Sequence, residues 1–210
     1  MPLVRADRRP HIGGPCSSEY TAHVTPTYQK YKTCKRWNEP GDVHELTCSC
    51  FRGLPLLSSD RTRTWFVAAV ERARVRQEFD VWAYVVMPEH VHMLVHPRRR
   101  EYDISAVLNG IKWPVAIQAK RYLERSAPQW LSRLTDVQPN GRAAVRFWQR
   151  GGGYDRNVRD ERALGAMIEY VHATPRRPGL VREPANWRWS SAQWYDGRRD
   201  VPLQMDDTIV

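Results

Sequence analysis

The chain has 210 residues, 41% of them apolar, enough to bury a core. No apolar run approaches the roughly 20 residues needed to cross a bilayer, which excludes a helical membrane protein. The formal charge of +10 rests on 28 Arg and only 5 Lys, interleaved with nine Trp and nine Tyr. Guanidinium groups clamp phosphates and stack on bases, and aromatic rings accept bases, so the mixture suits single-stranded nucleic acid as well as simple solubility. The start MPLVRADRRPHIGG lacks the apolar centre of a secretory signal, so a soluble, cytoplasmic and nucleoid-associated protein is expected. Cys16, Cys34, Cys48 and Cys50 lack the paired spacing of a structural zinc site.

Residues 1–40 are basic, broken by Pro, Gly and His, and read as a poorly ordered arm. The regular domain is expected over 41–197, with a tail over 198–210. VHELTCSCF (43–51) alternates as a strand, with His44, Leu46, Cys48 and Cys50 on one face. Ser58, Ser59 and Asp60 offer caps for a helix running to about residue 79. VWAYVVM (81–87) and HVHMLVH (90–96), separated by Pro88-Glu89, form an antiparallel hairpin. Asp103 caps a long helix through Tyr122, with a kink expected at Pro114. AVRFWQR (144–150) reads as the next strand, followed by a glycine-loosened turn at 151–153. Asp160 starts a last helix that stops before Pro175. The first six elements give an α+β class: a ferredoxin-like antiparallel sheet with helices on one face, plus N- and C-terminal extensions.

His90 and His92, two apart on a strand, project from the same face and make a pre-set pair for a metal ion. His96 shares that face but lies about 13 Å further along. A pair of strand histidines that binds nothing is equally compatible with the pattern. On the last helix, Tyr170 and Thr174 are four apart and face the same way. A helical tyrosine either packs or attacks a phosphodiester. Tyr154 is the rival nucleophile, and Asp155 is read as structural. Trp148 either packs or stacks a base. Arg98, Arg99 and Arg100 hold phosphates or form a solvated turn; Lys112, Arg176 and Arg177 are further candidates for DNA contact. WRWSSAQWY (187–195) is expected to pack against the sheet.

Four blocks in order, YVVMPEHVHMLV, FWQRGGGYDRNVRDE, IEYVHATPRRPGLV and WRWSS, resemble the REP-associated tyrosine transposases over some 150 residues, from about His44 to Tyr195. These are single-strand transposases of the HUH superfamily, named for two histidines flanking a bulky apolar residue. The resemblance implies Mg²⁺ or Mn²⁺ on His90 and His92, Tyr170 as nucleophile, and hairpin-forming single-stranded DNA as substrate. No small-molecule cofactor is expected, and either a monomer or a homodimer is compatible with one tyrosine per chain. The family's third ligand is an Asn in a YIHxNP pattern, and here Thr174 holds that place. His172, Glu169 or a water are the alternatives for it. Glu89 stands where Asn often precedes the first histidine, a departure from which a mild effect is expected. The implied activity is metal-dependent nicking and strand transfer through a 5′-phosphotyrosine; the alternative is a catalytically silenced hairpin-binding descendant of such an enzyme.

Overall fold

The computed structural model describes residues 38–206 apart from Gly152. Most of the basic arm, with Cys16 and Cys34, and the last four residues of the tail lie outside the described residues. In chain order the elements are β1 (Val43–Ser49), α1 (Asp60–Gln77), β2 (Phe79–Val86), β3 (His90–Pro97), α2 (Ile104–Ser126), α3 (Leu131–Leu134), β4 (Thr135–Val137), β5 (Ala143–Val145), β6 (Tyr154–Val158), α4 (Glu161–Ala173) and α5 (Ala192–Tyr195).

The main sheet has the order β2-β3-β1-β6 with every neighbouring pair antiparallel. That is the ferredoxin-like arrangement, each helical crossover skipping one strand position. One expectation is corrected. The run 144–150 is not the fourth strand of this sheet: its first residues belong to β5, which pairs only with β4 in a separate ribbon. Trp148 makes an isolated bridge to Cys50, and the fourth strand is β6, resumed after the glycines. β6 reads YDRNV, polar because it lies at the sheet edge, and so carries little apolar signal.

The caps act as expected. Ser59 Oγ accepts from Thr62 N at 3.3 Å, Asp103 Oδ1 from Ser105 N at 2.7 Å and Asp160 Oδ1 from Ala163 N at 2.8 Å. α2 continues through Pro114. Its Gly110 lets α1 approach closely, since a Cβ there would meet Gln77 at 2.6 Å and Ala73 at 3.5 Å.

Two cores flank the sheet. On one side α1 and α2 bury Phe66, Val70, Ile104, Ile111 and Val115 against Leu46, Cys48, Val91, Met93 and Val95. On the other, α4 buries Leu164, Ile168 and Val171 against Ala83, Val85 and Leu94. The expectation of helices on one face therefore holds for the two crossover helices, while α4 covers the opposite face. β2 carries a bulge at Trp82, between the pairs Val81–Val95 and Ala83–Leu94. It reverses the alternation, so Val81 and Tyr84 both face α1 and α2.

The segment 187–206 closes the β2 edge. Val86 N donates to Trp189 O at 2.8 Å, Tyr84 N to Ser191 Oγ at 2.9 Å, and Val81 N to Asp206 Oδ2 at 2.9 Å. Leu203 is fully buried, so the packed structure continues past residue 198. An otherwise open strand edge is thereby satisfied.

Candidate active site

Because side chains alternate along β3, the burial of Val91 and Met93 under α1 and α2 turns His90 and His92 to the α4 face. Their rings meet edge to face with centroids 4.8 Å apart. Tyr170, on α4, lies edge-on to the His92 ring at 5.6 Å. Three side chains from two elements some 80 positions apart thus meet at one place. Tyr170 is 37% exposed, open enough to meet a macromolecular substrate.

Both imidazoles are oriented through Nδ1. His90 Nδ1 lies 2.9 Å from Glu89 Oε1, and His92 Nδ1 lies 2.9 Å from Thr47 Oγ1. Neither Nε2 is bonded to any described residue. A nitrogen ligand whose other ring nitrogen is held by carboxylate or hydroxyl is the arrangement that metal-binding histidines use. Burial first, then the neighbouring His90 and Arg177, press the His92 pKa down to about 4. A neutral ring at physiological pH is the form that donates a lone pair to a cation. The pair fits a divalent cation as two imidazole donors. Among the described residues, no cluster of three or more His, Cys, Asp or Glu side chains completes it.

Thr174 caps the end of α4, is buried, and its hydroxyl donates to Tyr170 O at 3.0 Å. Only its oxygen lone pairs remain for another partner. Glu169 and His172 line a different cleft with Glu183, Asn186 and Tyr195, and His172 Nε2 is bonded to Ser191 Oγ at 2.8 Å. Arg177 places its guanidinium over the Tyr170 ring, 4.2 Å from the centroid. Arg176 is exposed just beyond the helix.

The other expected residues lie elsewhere. Arg98, Arg99 and Arg100 follow the far end of β3, about 25 Å from His90 at strand rise. Arg98 faces Asp80 at 3.5 Å and Arg99 pairs with Glu78. His96 stacks on Trp82 at 4.7 Å, away from the pair. Trp148 cannot stack a base: it is 6% exposed, packs against Phe66, and donates Nε1–H to Lys112 O at 2.9 Å. Lys112 Nζ is bonded to Gly151 O at 3.0 Å.

Tyr154 opens the edge strand β6. It pairs with Thr47, which pairs in turn with His92, so all three share one row of the sheet. Two strand spacings, about 10 Å, separate it from His92. Asp155, facing the other way, holds His44 Nδ1 at 2.8 Å, and His44 Nε2 reaches Tyr102 Oη at 2.8 Å. This buried chain ties β6, β1 and the start of α2 together, a structural role as expected.

Sequence reasoning missed Thr47 and underrated Glu89. Thr47 is found only through strand register; Glu89 was visible as the neighbour of His90.

No family profile matches the chain. In sequence it is 21% identical over 143 residues to a Haemophilus influenzae protein named "Putative REP-associated tyrosine transposase", covering 65% of this chain and 76% of that protein. In structure it superposes with a TM-score of 0.61 and 17% identity on a REP-associated tyrosine transposase solved bound to a REP hairpin, covering 84% of this chain and 93% of the other. The structural likeness shows the shared α+β fold, and the sequence likeness points the same way. The chain thus resembles a putative REP-associated tyrosine transposase in sequence and a solved one in fold.

Proposed function

We propose that this chain nicks and rejoins single-stranded DNA at hairpins, with Tyr170 as nucleophile. The observation that carries the reading is the meeting of His90, His92 and Tyr170 on the α4 face of the sheet. The relatives support the substrate: one solved relative is bound to a REP hairpin. His90 and His92 would hold Mg²⁺ or Mn²⁺ through Nε2, with Thr174 Oγ1 or a water beside them. Such an ion, when bound, neutralises phosphate charge and polarises the bonds to phosphorus.

The Tyr170 phenol oxygen attacks the scissile phosphorus, and the bond from phosphorus to the 3′ oxygen breaks. A 5′-phosphotyrosine forms, and the proton that the phenol loses is balanced by the one the 3′ hydroxyl gains. A second 3′ hydroxyl reverses the step at a new junction, since the phosphotyrosine conserves the bond. Arg177, over the Tyr170 ring, supplies fixed positive charge where the anionic phosphate must approach. Thr47 and Glu89 hold the two rings in place while DNA enters and leaves.

The test is cleavage of a labelled hairpin with a single-stranded flank. Wild type should cut with Mg²⁺ or Mn²⁺, and His90→Ala and His92→Ala should not, while His96→Ala stays close to wild type. Full cleavage in EDTA contradicts the metal assignment. Hairpin binding without cleavage at any metal concentration replaces this reading with a silenced DNA-binding protein, the second reading, which the hydroxyl at Thr174, a shorter and weaker ligand than an amide, favours.

A further inference from the structure

Trp113 on α2 presents its ring to solvent, 69% exposed. It lines a groove of about 280 Å³ together with Asn109, Lys112, Arg146 and Arg150. Asp136 orders both arginines, accepting from Arg150 Nε at 2.6 Å and from Arg146 Nε. Each guanidinium is held by its inner nitrogen, and its terminal nitrogens bond no described residue. An open indole face flanked by pre-set guanidinium forks is the construction that takes a base and its phosphate together.

The groove lies beside the chain that leads into β6. Lys112 Nζ holds Gly151 O, opening the glycine segment that ends at Tyr154. Tyr154 shares its sheet row with Thr47 and His92.

We infer that Trp113, with Lys112, Arg146 and Arg150, is a stacking subsite for unpaired nucleotides of single-stranded DNA, on the opposite side of the sheet from Tyr170. Paired bases offer no open face to an indole, which selects single strand over duplex. A second copy of the chain is disfavoured as occupant, because a two-fold contact there would bring six cations together against only two Asp136 carboxylates. The inference rests on the proposed substrate class and not on the proposed chemistry.

The probe is a fluorescein-labelled twelve-nucleotide oligo(dT), which has no hairpin, titrated against the full chain in EDTA by anisotropy. Trp113→Ala should weaken binding about ten- to hundredfold, and Trp113→Phe should keep most of it. Binding to a blunt hairpin without flank should be the same for all three proteins. Because Trp113 is exposed, circular dichroism should show every variant folded. Unchanged oligo(dT) affinity in Trp113→Ala, or no binding by wild type, overturns the subsite. If instead Trp113→Ala alters only the mass by light scattering, the surface is a contact between copies and the inference is wrong. A covalent adduct at Tyr170 would survive each of these failures, so the two readings separate.

Discussion

His92 joins three constraints in one side chain. Strand alternation sets its face, Thr47 fixes Nδ1, and burial keeps the ring neutral with a pKa of about 4. Thr174 gives its hydroxyl proton to the Tyr170 carbonyl, which fixes the oxygen and leaves its lone pairs, on a short side chain, to face a metal. Thr174→Asn would place an amide oxygen further out from the helix. A gain of about 1.4 kcal/mol in metal binding lowers the half-maximal metal concentration for cleavage roughly tenfold. A metal titration of both proteins on one hairpin measures this, and an unmoved midpoint assigns the third position to another group. Gly153 matters through Thr47. Its φ is +79°, and a Cβ would lie 2.2 Å from Thr47 O. Gly153→Ala must therefore push β1 away or distort the turn, at about 1–3 kcal/mol of stability. Urea unfolding should show that loss, and weaker metal binding should accompany it because Thr47 orients His92. An unchanged urea midpoint contradicts the close approach.

At the scale of elements, α4 is held to the sheet by more than its apolar face. Ser191 is fully buried and bonds Tyr84 N, Tyr84 O and, on α4, His172 Nε2. Ser191→Ala leaves a strand N–H and an imidazole nitrogen unpaired, at about 1–3 kcal/mol. Chemical denaturation checks the magnitude, and a change below a few tenths of a kcal/mol contradicts the proposed clamp. Most elements were legible because their signals are local: Ser59, Asp103 and Asp160 cap the helices, and Pro88-Glu89 turns the hairpin. β6 was not legible. An edge strand of YDRNV satisfies its backbone by pairing with β1 and needs no apolar alternation, whereas the apolar AVRFW run buries Phe147 and Trp148 without joining the sheet as a strand. The bulge at Trp82 was equally silent, since an extra residue leaves no mark in composition.

Across the whole molecule, acid should loosen the α4 side first. Burial lowers the pKa of both His92 and His172 to about 4 from 6.5. Below pH 6.5 the unfolded chain takes up protons that the folded chain refuses. The stabilisation is therefore complete above that pH and is lost as pH falls toward 4, by roughly 3 kcal/mol for each group. Urea midpoints in EDTA should fall between pH 7 and 4.5, and His172→Gln should lose less over that interval than wild type. Equal slopes contradict the role of His172. The site was legible in part. His90, His92 and Tyr170 stood out as residue types at family positions, but that they touch depends on α4 crossing to the face opposite α1 and α2, which no local pattern encodes. Trp113 passed unnoticed because one exposed ring carries no periodicity.

If Tyr170 becomes joined to DNA, peptide mapping locates the bond. The chain is incubated with Mg²⁺ or Mn²⁺ and a hairpin carrying its own flanking palindrome, denatured, and digested with nuclease and protease. Mass spectrometry should then find a nucleotide phosphate on the peptide containing Tyr170, absent from Tyr170→Phe while hairpin binding persists. A phosphate on the Tyr154 peptide, or an adduct undiminished in Tyr170→Phe, contradicts the account.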